Sequence, residues 1–227
     1  MRKKTVPPVP RVIVHNATSI DNRITGFEVD LATYYRLVST WHEEATLVGS
    51  GTILASPEGR VADKPDPGGW QPDPTDRRPL LVIADSRGRV RCWQTLRRAG
   101  YWRDVVALCS ARTPRRFRDF LRAGGVDCIV TGGRRVDLRA ALAALRREYG
   151  IRVVRCDSGG ELNAALMQAG LVDEVSLLVH PTLAGERNTV PMFRLDTRPA
   201  GLPAMRLYRS GRLGRGLVWL RYRLSRP

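Results

Sequence analysis

The stretch of residues 153–169, which reads VVRCDSGGELNAALMQA, constrains the fold of this chain more than any other. It opens on a β-branched pair, Val153 and Val154, which is typical of a buried strand. Gly159 and Gly160 then allow a sharp backbone turn and a close approach by whatever lies above it. An apolar set at helical spacing follows: Leu162, Ala165, Leu166 and Ala169. The stretch predicts a strand, a tight turn and a helix whose first N–H groups and dipole favour an anion.

Strand and helix patterns alternate along most of the chain. The predicted strands cover residues 11–15, 45–48, 80–84, 105–109, 126–130, 151–155 and 174–180. The predicted helices cover residues 30–41, 94–100, 114–123 and 138–149, besides the one that follows Gly160. Polar loops fill residues 16–27 and 57–79, and two strands over 205–209 and 216–224 end the pattern. This order predicts an α/β fold, a doubly wound and mostly parallel central sheet flanked by helices, with C-terminal antiparallel strands.

The length of the chain bounds its organisation. With 227 residues, we expect a flexible N-terminal arm over residues 1–10 and a single domain over residues 11–227. The net charge is +16, from 38 Lys and Arg against 22 Asp and Glu, and nearly all of the cations are arginines. They are scattered along the chain rather than gathered in one basic block, so we expect no nucleic-acid partner. A cationic surface also suits an anionic small substrate or a phosphorylated cofactor.

The four cysteines, at positions 92, 109, 128 and 156, form no C-x-x-C pair. We therefore expect no metal site, and free cysteines beside apolar runs fit the core of a cytoplasmic protein. No apolar stretch approaches the roughly 20 residues of a membrane span. Arg2, Lys3 and Lys4 are followed by prolines rather than by the apolar run of a signal peptide.

Three loops leave predicted strand ends with serine, glycine or arginine, at residues 85–88, 110–112 and 158–160. In open α/β sheets the loops beyond the carboxyl ends of strands form the ligand crevice. Arginine beside serine at such a turn suits the 2′-phosphate of NADP better than the bare ribose of NAD. Ordinary turn chemistry is the alternative interpretation of each loop taken alone.

Several motifs in order carry a resemblance to a known family. The glycine segment GGELN at residues 159–163 is followed by GLVDEV at 170–175 and PTLAG at 181–185. Upstream, SIDNRI at residues 19–24 and GSGT at 49–52 complete the series. Together these motifs resemble the reductase domain of riboflavin biosynthesis, which includes stand-alone pyrimidine reductases and the C-terminal domain of bifunctional deaminase-reductases. The resemblance spans about residues 11 to 224 and implies a dihydrofolate-reductase-like fold.

The resemblance implies an NADPH-dependent oxidoreductase that opens the ribose of a ribosylamino-pyrimidine phosphate and reduces its C1′. The family and the terminal strands both favour a homodimer. The cofactor-binding residues predicted in this way are Gly49, Gly51, Thr52, Ser86, Arg87, Ser158, Gly159, Gly160, Glu161, Leu162 and Asn163. Ser110 and Arg112 are added because they follow a strand end. The predicted substrate-binding residues are Asn16, Ser19, Asp21, Tyr35 and Asp157.

Asp21 and Asp157 are the predicted catalytic residues. Asp157 occupies the place of an acidic residue that touches substrate in the family, and a buried carboxyl group near a ring can have a raised pKa and act as an acid. The alternative for Asp21 is that it caps a turn. The three histidines share no metal-like spacing, and we interpret His15 as a structural residue.

The chain departs from the family pattern on the substrate side. Asn22 replaces a glycine, Thr40 stands where an arginine is expected, and residues 56–63 replace a D-P-x-L-T-x-R run. Tyr34, Tyr35 and Phe27 supply aromatic surface there, either as core residues or as a platform for a flat ring. Two alternatives therefore stay open: a reductase of the same fold that acts on another heterocyclic, folate-like or carbonyl substrate, and a basic nucleic-acid-binding protein without catalysis.

Overall fold

A computed structural model describes residues 8–63, 70–187, 189–195 and 202–225 of the chain. The described strands are β1 (Arg11–Thr18), β2 (Ala45–Gly49), β3 (Leu80–Ala84), β4 (Asp104–Cys109), β5 (Asp127–Val130), β6 (Val153–Cys156), β7 (Glu174–Val179), β8 (Met205–Arg212) and β9 (Val218–Leu224). The described helices are α1 (Leu31–Val38), α2 (Ser50–Ala55), α3 (Trp93–Arg98), α4 (Arg115–Ala123), α5 (Leu138–Tyr149) and α6 (Gly160–Gln168). Residues 1–7 of the predicted arm lie outside this description.

All nine strands form one sheet in the order β5-β4-β3-β2-β6-β1-β7-β9-β8. The strands from β5 to β7 in this order are parallel, whereas β9 runs antiparallel to β7 and β8 antiparallel to β9. The predicted fold class is confirmed. The chain leaves β2 toward β3 on one side and leaves β6 toward β7 on the other. The crevice between the carboxyl ends of β2 and β6 is therefore the switch point at which open α/β sheets bind ligands.

The two faces of the sheet are covered differently. One face packs against α5 and α6 through side chains such as Leu142. The other face carries two separate apolar clusters, one with α3 and α4 around Trp93 and one with α1 around Tyr34. Between these clusters, Thr46 of β2 lies opposite Arg155 of β6, and both side chains are buried. We call this pair and the side chains bound to Arg155 the polar seam.

Local signals place several element ends. The Asp30 carboxylate accepts a hydrogen bond from the Thr33 N–H at 2.9 Å and begins α1. Asp137 caps α5 in the same way, and Gly150 ends that helix in a left-handed conformation at φ 69°. The Glu174 carboxylate, wholly buried, accepts from Arg221 of β9 at 2.6 Å and so ties the antiparallel edge to the parallel sheet.

Three local predictions are wrong. Strand β1 continues through Thr18, because Asn16 and Thr18 pair with β7 instead of starting a loop. In α6, Ala169 is exposed and the buried face includes Asn163, whose polar side chain has partners inside the protein. In α1, Tyr35 is 56% exposed, so its interpretation as a core residue is wrong, and the aromatic platform is the alternative that stays open. In β1 and α6, hydrogen bonds to distant segments decide which polar side chains are buried.

Candidate active site

The hydroxyl group of Ser158 joins the two sides of the crevice between β2 and β6. The N–H of Gly49, at the end of β2, donates to this oxygen at 3.0 Å. Thr52, in the first turns of α2, brings its own hydroxyl to 3.1 Å from it. Three residues that were predicted to bind the cofactor, from two separate motifs, therefore meet at one point, where Ser158 is itself buried.

A pair of buried amides holds the turn that contains Ser158. The Nδ2 atoms of Asn16 and Asn163 both donate to the Ser158 carbonyl oxygen at 3.0 Å. Asn163 also donates to Oδ1 of Asn16 at 3.0 Å and to the Met192 carbonyl at 2.9 Å, and its own Oδ1 accepts from the Cys156 thiol. Asn163 has no accessible surface, so its predicted direct contact with the cofactor is replaced by a role in building the turn. Asn16, predicted to touch substrate, is committed to the same network.

The glycine turn is covered by the protein's own chain. A Cβ atom added to Gly160 would lie 2.8 Å from the Pro191 carbonyl oxygen and 2.9 Å from the Arg194 nitrogen. The Arg194 N–H donates to the Gly160 carbonyl at 3.0 Å, and a Cβ atom on Gly159 would meet Val190 at 3.1 Å. The close approach predicted at these glycines is thus made by residues 190–194. In the first turn of α6, Glu161 is exposed.

The Asp21 carboxylate is hydrogen-bonded within the loop after β1 and to residues 184 and 185. It accepts hydrogen bonds from the Ser19 hydroxyl at 2.6 Å, the Ala184 N–H at 3.0 Å and the Gly185 N–H at 2.8 Å. The Ser19 hydroxyl and these backbone donors lower the pKa of Asp21 to about 2. The catalytic role of Asp21 stays a prediction: its carboxylate is ionised at neutral pH, and its contacts match the alternative that it fixes a turn.

The same loop explains a departure from the family pattern. Asn22 has a left-handed backbone at φ 60°, a conformation that asparagine tolerates better than most side chains. Its carbonyl accepts from the Met192 N–H at 3.2 Å, and the Ile24 N–H donates to the Val190 carbonyl at 2.8 Å. The loop after β1 and the segment over the glycine turn therefore form one hydrogen-bonded unit at the crevice.

Asp157 lies at the carboxyl end of β6 and belongs to the polar seam. Nη1 of Arg155 donates to the Asp157 carboxylate at 2.7 Å, and Nε of Arg155 donates to Glu43 at 3.0 Å. The hydroxyl groups of Tyr34 and Thr46 each lie 3.4 Å from the guanidinium. Burial and the nearby Asp157 carboxylate raise the pKa of Tyr34 well above its usual value, so Tyr34 is a neutral phenol here.

The predicted substrate-side residues differ in accessibility. The Asp157 side chain is 33% exposed, and Tyr35 is 56% exposed on α1. Ser19 is 1% exposed, so its side chain is not available to a ligand. Asp157 and Tyr35 are therefore members of the predicted set whose side chains a substrate can reach.

The loops after β3, β4 and β5 are bound to one another beside the crevice. The Ser86 hydroxyl accepts from the Val136 N–H at 3.0 Å, and the Thr113 hydroxyl donates to the Ser86 carbonyl at 2.9 Å. Ser110 has no accessible surface, and its hydroxyl lies 3.3 Å from that of Thr113. Cofactor binding by Ser110 stays a prediction, and in this structure its hydroxyl group is enclosed. Arg87 and Arg112, in contrast, are exposed on these loops, as are Gly51 and Thr52 on α2.

Residues 56–63, which depart from the family pattern, support another helix. The Asp63 carboxylate accepts from the backbone N–H groups of Gln94 and Thr95 and from the Thr95 hydroxyl at 2.9 Å. It therefore satisfies the first turn of α3 and is not free to bind a ligand. Thr40 is exposed after α1.

Sequence reasoning missed Arg155, Glu43 and the environment of His15. An arginine within an otherwise apolar strand was the signal for the first of these. His15 is wholly buried, with Nδ1 3.0 Å from the Ser176 hydroxyl and its ring stacked on Tyr34 at a centroid distance of 4.5 Å. Burial first, and the Arg155 guanidinium second, lower the pKa of His15 to about 3. His15 is therefore a neutral structural residue, as predicted.

Membrane-spanning helices and metal-binding clusters are both absent from the described part of the chain. Its helices include none that is long and apolar enough to cross a membrane. Its His, Cys, Asp and Glu residues form no group of three or more that could hold a metal ion.

A family model and two named relatives match this chain in sequence. The sequence model for the RibD C-terminal domain matches residues 10–219. A 2,5-diamino-6-ribosylamino-4(3H)-pyrimidinone 5′-phosphate reductase of Archaeoglobus fulgidus is 30% identical over 190 residues, which cover 79% of this chain and 84% of that protein. The protein of the same name from Methanothermobacter thermautotrophicus is 29% identical over 188 residues, which cover 79% of this chain and 81% of that one.

Solved structures share the fold. Form 2 of Acinetobacter baumannii RibD superimposes with a TM-score of 0.70 at 23% identity. The match covers 96% of this chain but 58% of the Acinetobacter chain, so this chain spans little more than half of that protein. A pyrimidine reductase-like protein from Corynebacterium diphtheriae gives a TM-score of 0.71 at 16% identity, with 96% of this chain and 93% of that one covered.

Proposed function

Because the chain belongs to the RibD C-terminal domain family, we propose that it is the riboflavin-pathway oxidoreductase that reduces 2,5-diamino-6-ribosylamino-4(3H)-pyrimidinone 5′-phosphate with NADPH. The resemblance stated from the sequence motifs is confirmed by the family match over residues 10–219. The observation that carries the proposal is that two relatives bearing this enzyme's name align over 79% of the chain. The structure of this chain adds a crevice at the switch point of the sheet, where Ser158 joins Gly49 and Thr52.

The carboxyl edge of the sheet has the chemistry that a dinucleotide phosphate needs. The first N–H groups and the dipole of α6 favour the pyrophosphate, and Ser158 with Thr52 would hold the chain around it. Arg87 and Arg112 are exposed cations at the same edge and would hold the 2′-phosphate that distinguishes NADPH from NADH. NADPH supplies the hydride when it is bound.

The protein's contribution to the reaction is to bind and orient the substrate. Asp157 presents a partly exposed carboxylate that accepts hydrogen bonds from N–H or O–H groups of a pyrimidine or its sugar. Tyr35 offers an exposed aromatic ring beside the same seam. Asp21 would hold the loop after β1 against residues 184 and 185 at the edge of this site.

The proposal extends to a homodimer through the outer edge of β8. Within the part of the chain that the structure describes, no strand pairs with this edge, and Met205 and Leu207 on it are each 48% exposed. An unpaired edge strand with apolar side chains is suited to pairing with a second copy. Sedimentation of the purified protein at several concentrations tests this, and a monomer at all of them contradicts it.

The direct test is turnover. Purified protein is mixed with NADPH and the ribosylamino-pyrimidine phosphate, and loss of NADPH absorbance is followed, with dihydrofolate and a simple carbonyl compound as rival substrates. We expect oxidation of NADPH with the pyrimidine. Tight NADPH binding with turnover of a rival substrate only would refute the pyrimidine and support a same-fold reductase. Salt-sensitive DNA or RNA binding without NADPH affinity would support the nucleic-acid alternative.

The cofactor preference has its own test. Loss of one charge-assisted hydrogen bond, worth about 1.5–3 kcal/mol, should reduce the preference for NADPH over NADH roughly 10- to 100-fold in Arg87→Ala or Arg112→Ala. Arg147→Ala is the matched control, because this exposed arginine lies near the C-terminal end of α5, outside both the crevice and the β8 edge. An unchanged NADPH to NADH ratio in both crevice variants would show that another cation holds the 2′-phosphate.

A further inference from the structure

Arg155 is a charged residue in the interior of the sheet. It is 4% exposed on β6, between Val154 and Cys156, which are both wholly buried. Burial by itself would lower the pKa of Arg155, but the carboxylates of Asp157 and Glu43 outweigh this effect and raise it. A buried ion pair is often no more stabilising than apolar side chains of the same volume. Stability alone therefore does not account for an arginine at this position.

The two carboxylates on Arg155 differ in what else they can reach. Glu43 receives Nε at 3.0 Å and its side chain is 7% exposed, so it is enclosed with the guanidinium. Asp157 receives Nη1 at 2.7 Å, and its side chain is 33% exposed at the end of β6. The buried Glu43 carboxylate thus fixes the guanidinium of Arg155. The guanidinium in turn orients the partly exposed Asp157 carboxylate at the crevice.

We propose that Arg155 is a positioning residue for the reduction, acting through Asp157. The inference rests on the proposed function, because it assigns Arg155 a part in that reaction. The planar guanidinium fixes the direction of one Asp157 oxygen, which leaves the rest of the carboxylate oriented for a substrate donor. It also offsets one of two neighbouring negative charges. Without Arg155, Glu43 and Asp157 together would repel a substrate that carries a phosphate.

A double-mutant cycle tests this coupling. The variants are Arg155→Met, Asp157→Asn and the double variant, and NADPH affinity, KM and kcat are measured for each. Misplacement of a binding group by about 1 Å can cost roughly 100-fold, so we expect Arg155→Met to lower kcat/KM for the pyrimidine by about 10- to 100-fold. NADPH affinity should stay within about 2-fold, and Arg155→Met should have little further effect once Asp157 is replaced.

Arg97 provides the matched control. It is also an arginine buried to 2% exposure, and it pairs with Asp104 at 2.7 Å away from the crevice. Arg97→Met should lower the free energy of unfolding without changing KM, and its effects should add to those of Asp157→Asn. Arg155→Lys is the second variant, since it keeps the charge but loses the planar fork, and we expect it to restore part of kcat/KM.

The outcomes separate the two claims. If the wild-type chain does not reduce the pyrimidine, the proposed function falls and the role of Arg155 in that reaction falls with it. If the wild-type chain is active but either folded Arg155 variant keeps the wild-type kcat/KM, only the role of Arg155 is overturned. Full additivity of Arg155→Met with Asp157→Asn also overturns it, because Arg155 would then not act through Asp157.

Discussion

Acid should destabilise this protein through His15 before its carboxylates are protonated. The ordinary pKa of 6.5 applies to His15 in the unfolded chain, whereas burial and Arg155 lower it to about 3 in the folded chain. Between these values the unfolded state binds a proton that the folded state does not, so stability is complete above the unfolded pKa and is lost as the pH falls below it.

The size of the effect follows from the linkage relation. Each pH unit between the two pKa values costs about 1.4 kcal/mol, so lowering the pH from about 7.5 to about 4.5 should remove about 2–3 kcal/mol through His15 alone. Stopping near that pH keeps the protonation of carboxylates with lowered pKa values, such as Asp21, out of the measurement. The loss is a large fraction of the 5–15 kcal/mol that holds a typical domain folded.

Urea unfolding followed by tryptophan fluorescence at several pH values measures this loss. His15→Asn keeps a side-chain nitrogen near the Ser176 hydroxyl but loses the stacked ring, so it should lower stability near neutral pH and flatten the pH dependence by about 2–3 kcal/mol. His42→Asn is the control, because His42 is exposed in a left-handed conformation that asparagine accepts. Equal pH dependence in the wild type and in His15→Asn would refute the assignment of a neutral, buried His15.

Two further predictions concern the turn at the crevice. Gly160→Ala should cost about 1–3 kcal/mol of unfolding free energy, because its Cβ atom would lie 2.8 Å from the Pro191 carbonyl, whereas Gly133→Ala, with nothing within 4 Å, should be nearly neutral. Thermal unfolding of the two variants checks this, and equal melting temperatures would contradict it. Asn163→Leu should cost about 1–3 kcal/mol, because the Met192 carbonyl loses this donor and the Ser158 carbonyl keeps only the Asn16 amide, and it should weaken NADPH binding. Calorimetric titration with NADPH measures the second effect, and wild-type affinity in a folded variant would show that the turn keeps its shape without the amide.

Sequence patterns predicted the elements whose signals are local. The helix α5 has the bounds expected from its leucine spacing, because Asp137 and Gly150 terminate it with their own backbone and side-chain geometry. The strand β3 likewise has its expected bounds, since a run of five apolar residues fits a strand buried on both faces. In both cases the information lies within the element itself.

Part of the geometry of the candidate site could be predicted from the sequence. The motifs placed Ser158, Thr52 and Gly49 in one region, and the structure joins them. The roles of Asn163 and Arg155 depend on partners that are distant in sequence, such as Asn16 and Glu43, and no local pattern reports such partners. A polar residue on an apparently apolar element was the available sign in both cases.

The Asn163 amide also bears on how this protein loses its structure. Its hydrogen bonds join the first strand, the turn after the sixth strand and the segment at Met192. Along the chain, Asn16 lies 147 residues and Met192 lies 29 residues from Asn163. A partly unfolded chain that has released any one of these segments no longer has the crevice. A ligand of the crevice should therefore protect the whole chain, with slower amide hydrogen exchange in strands β1 and β6 as well as in the loops it touches.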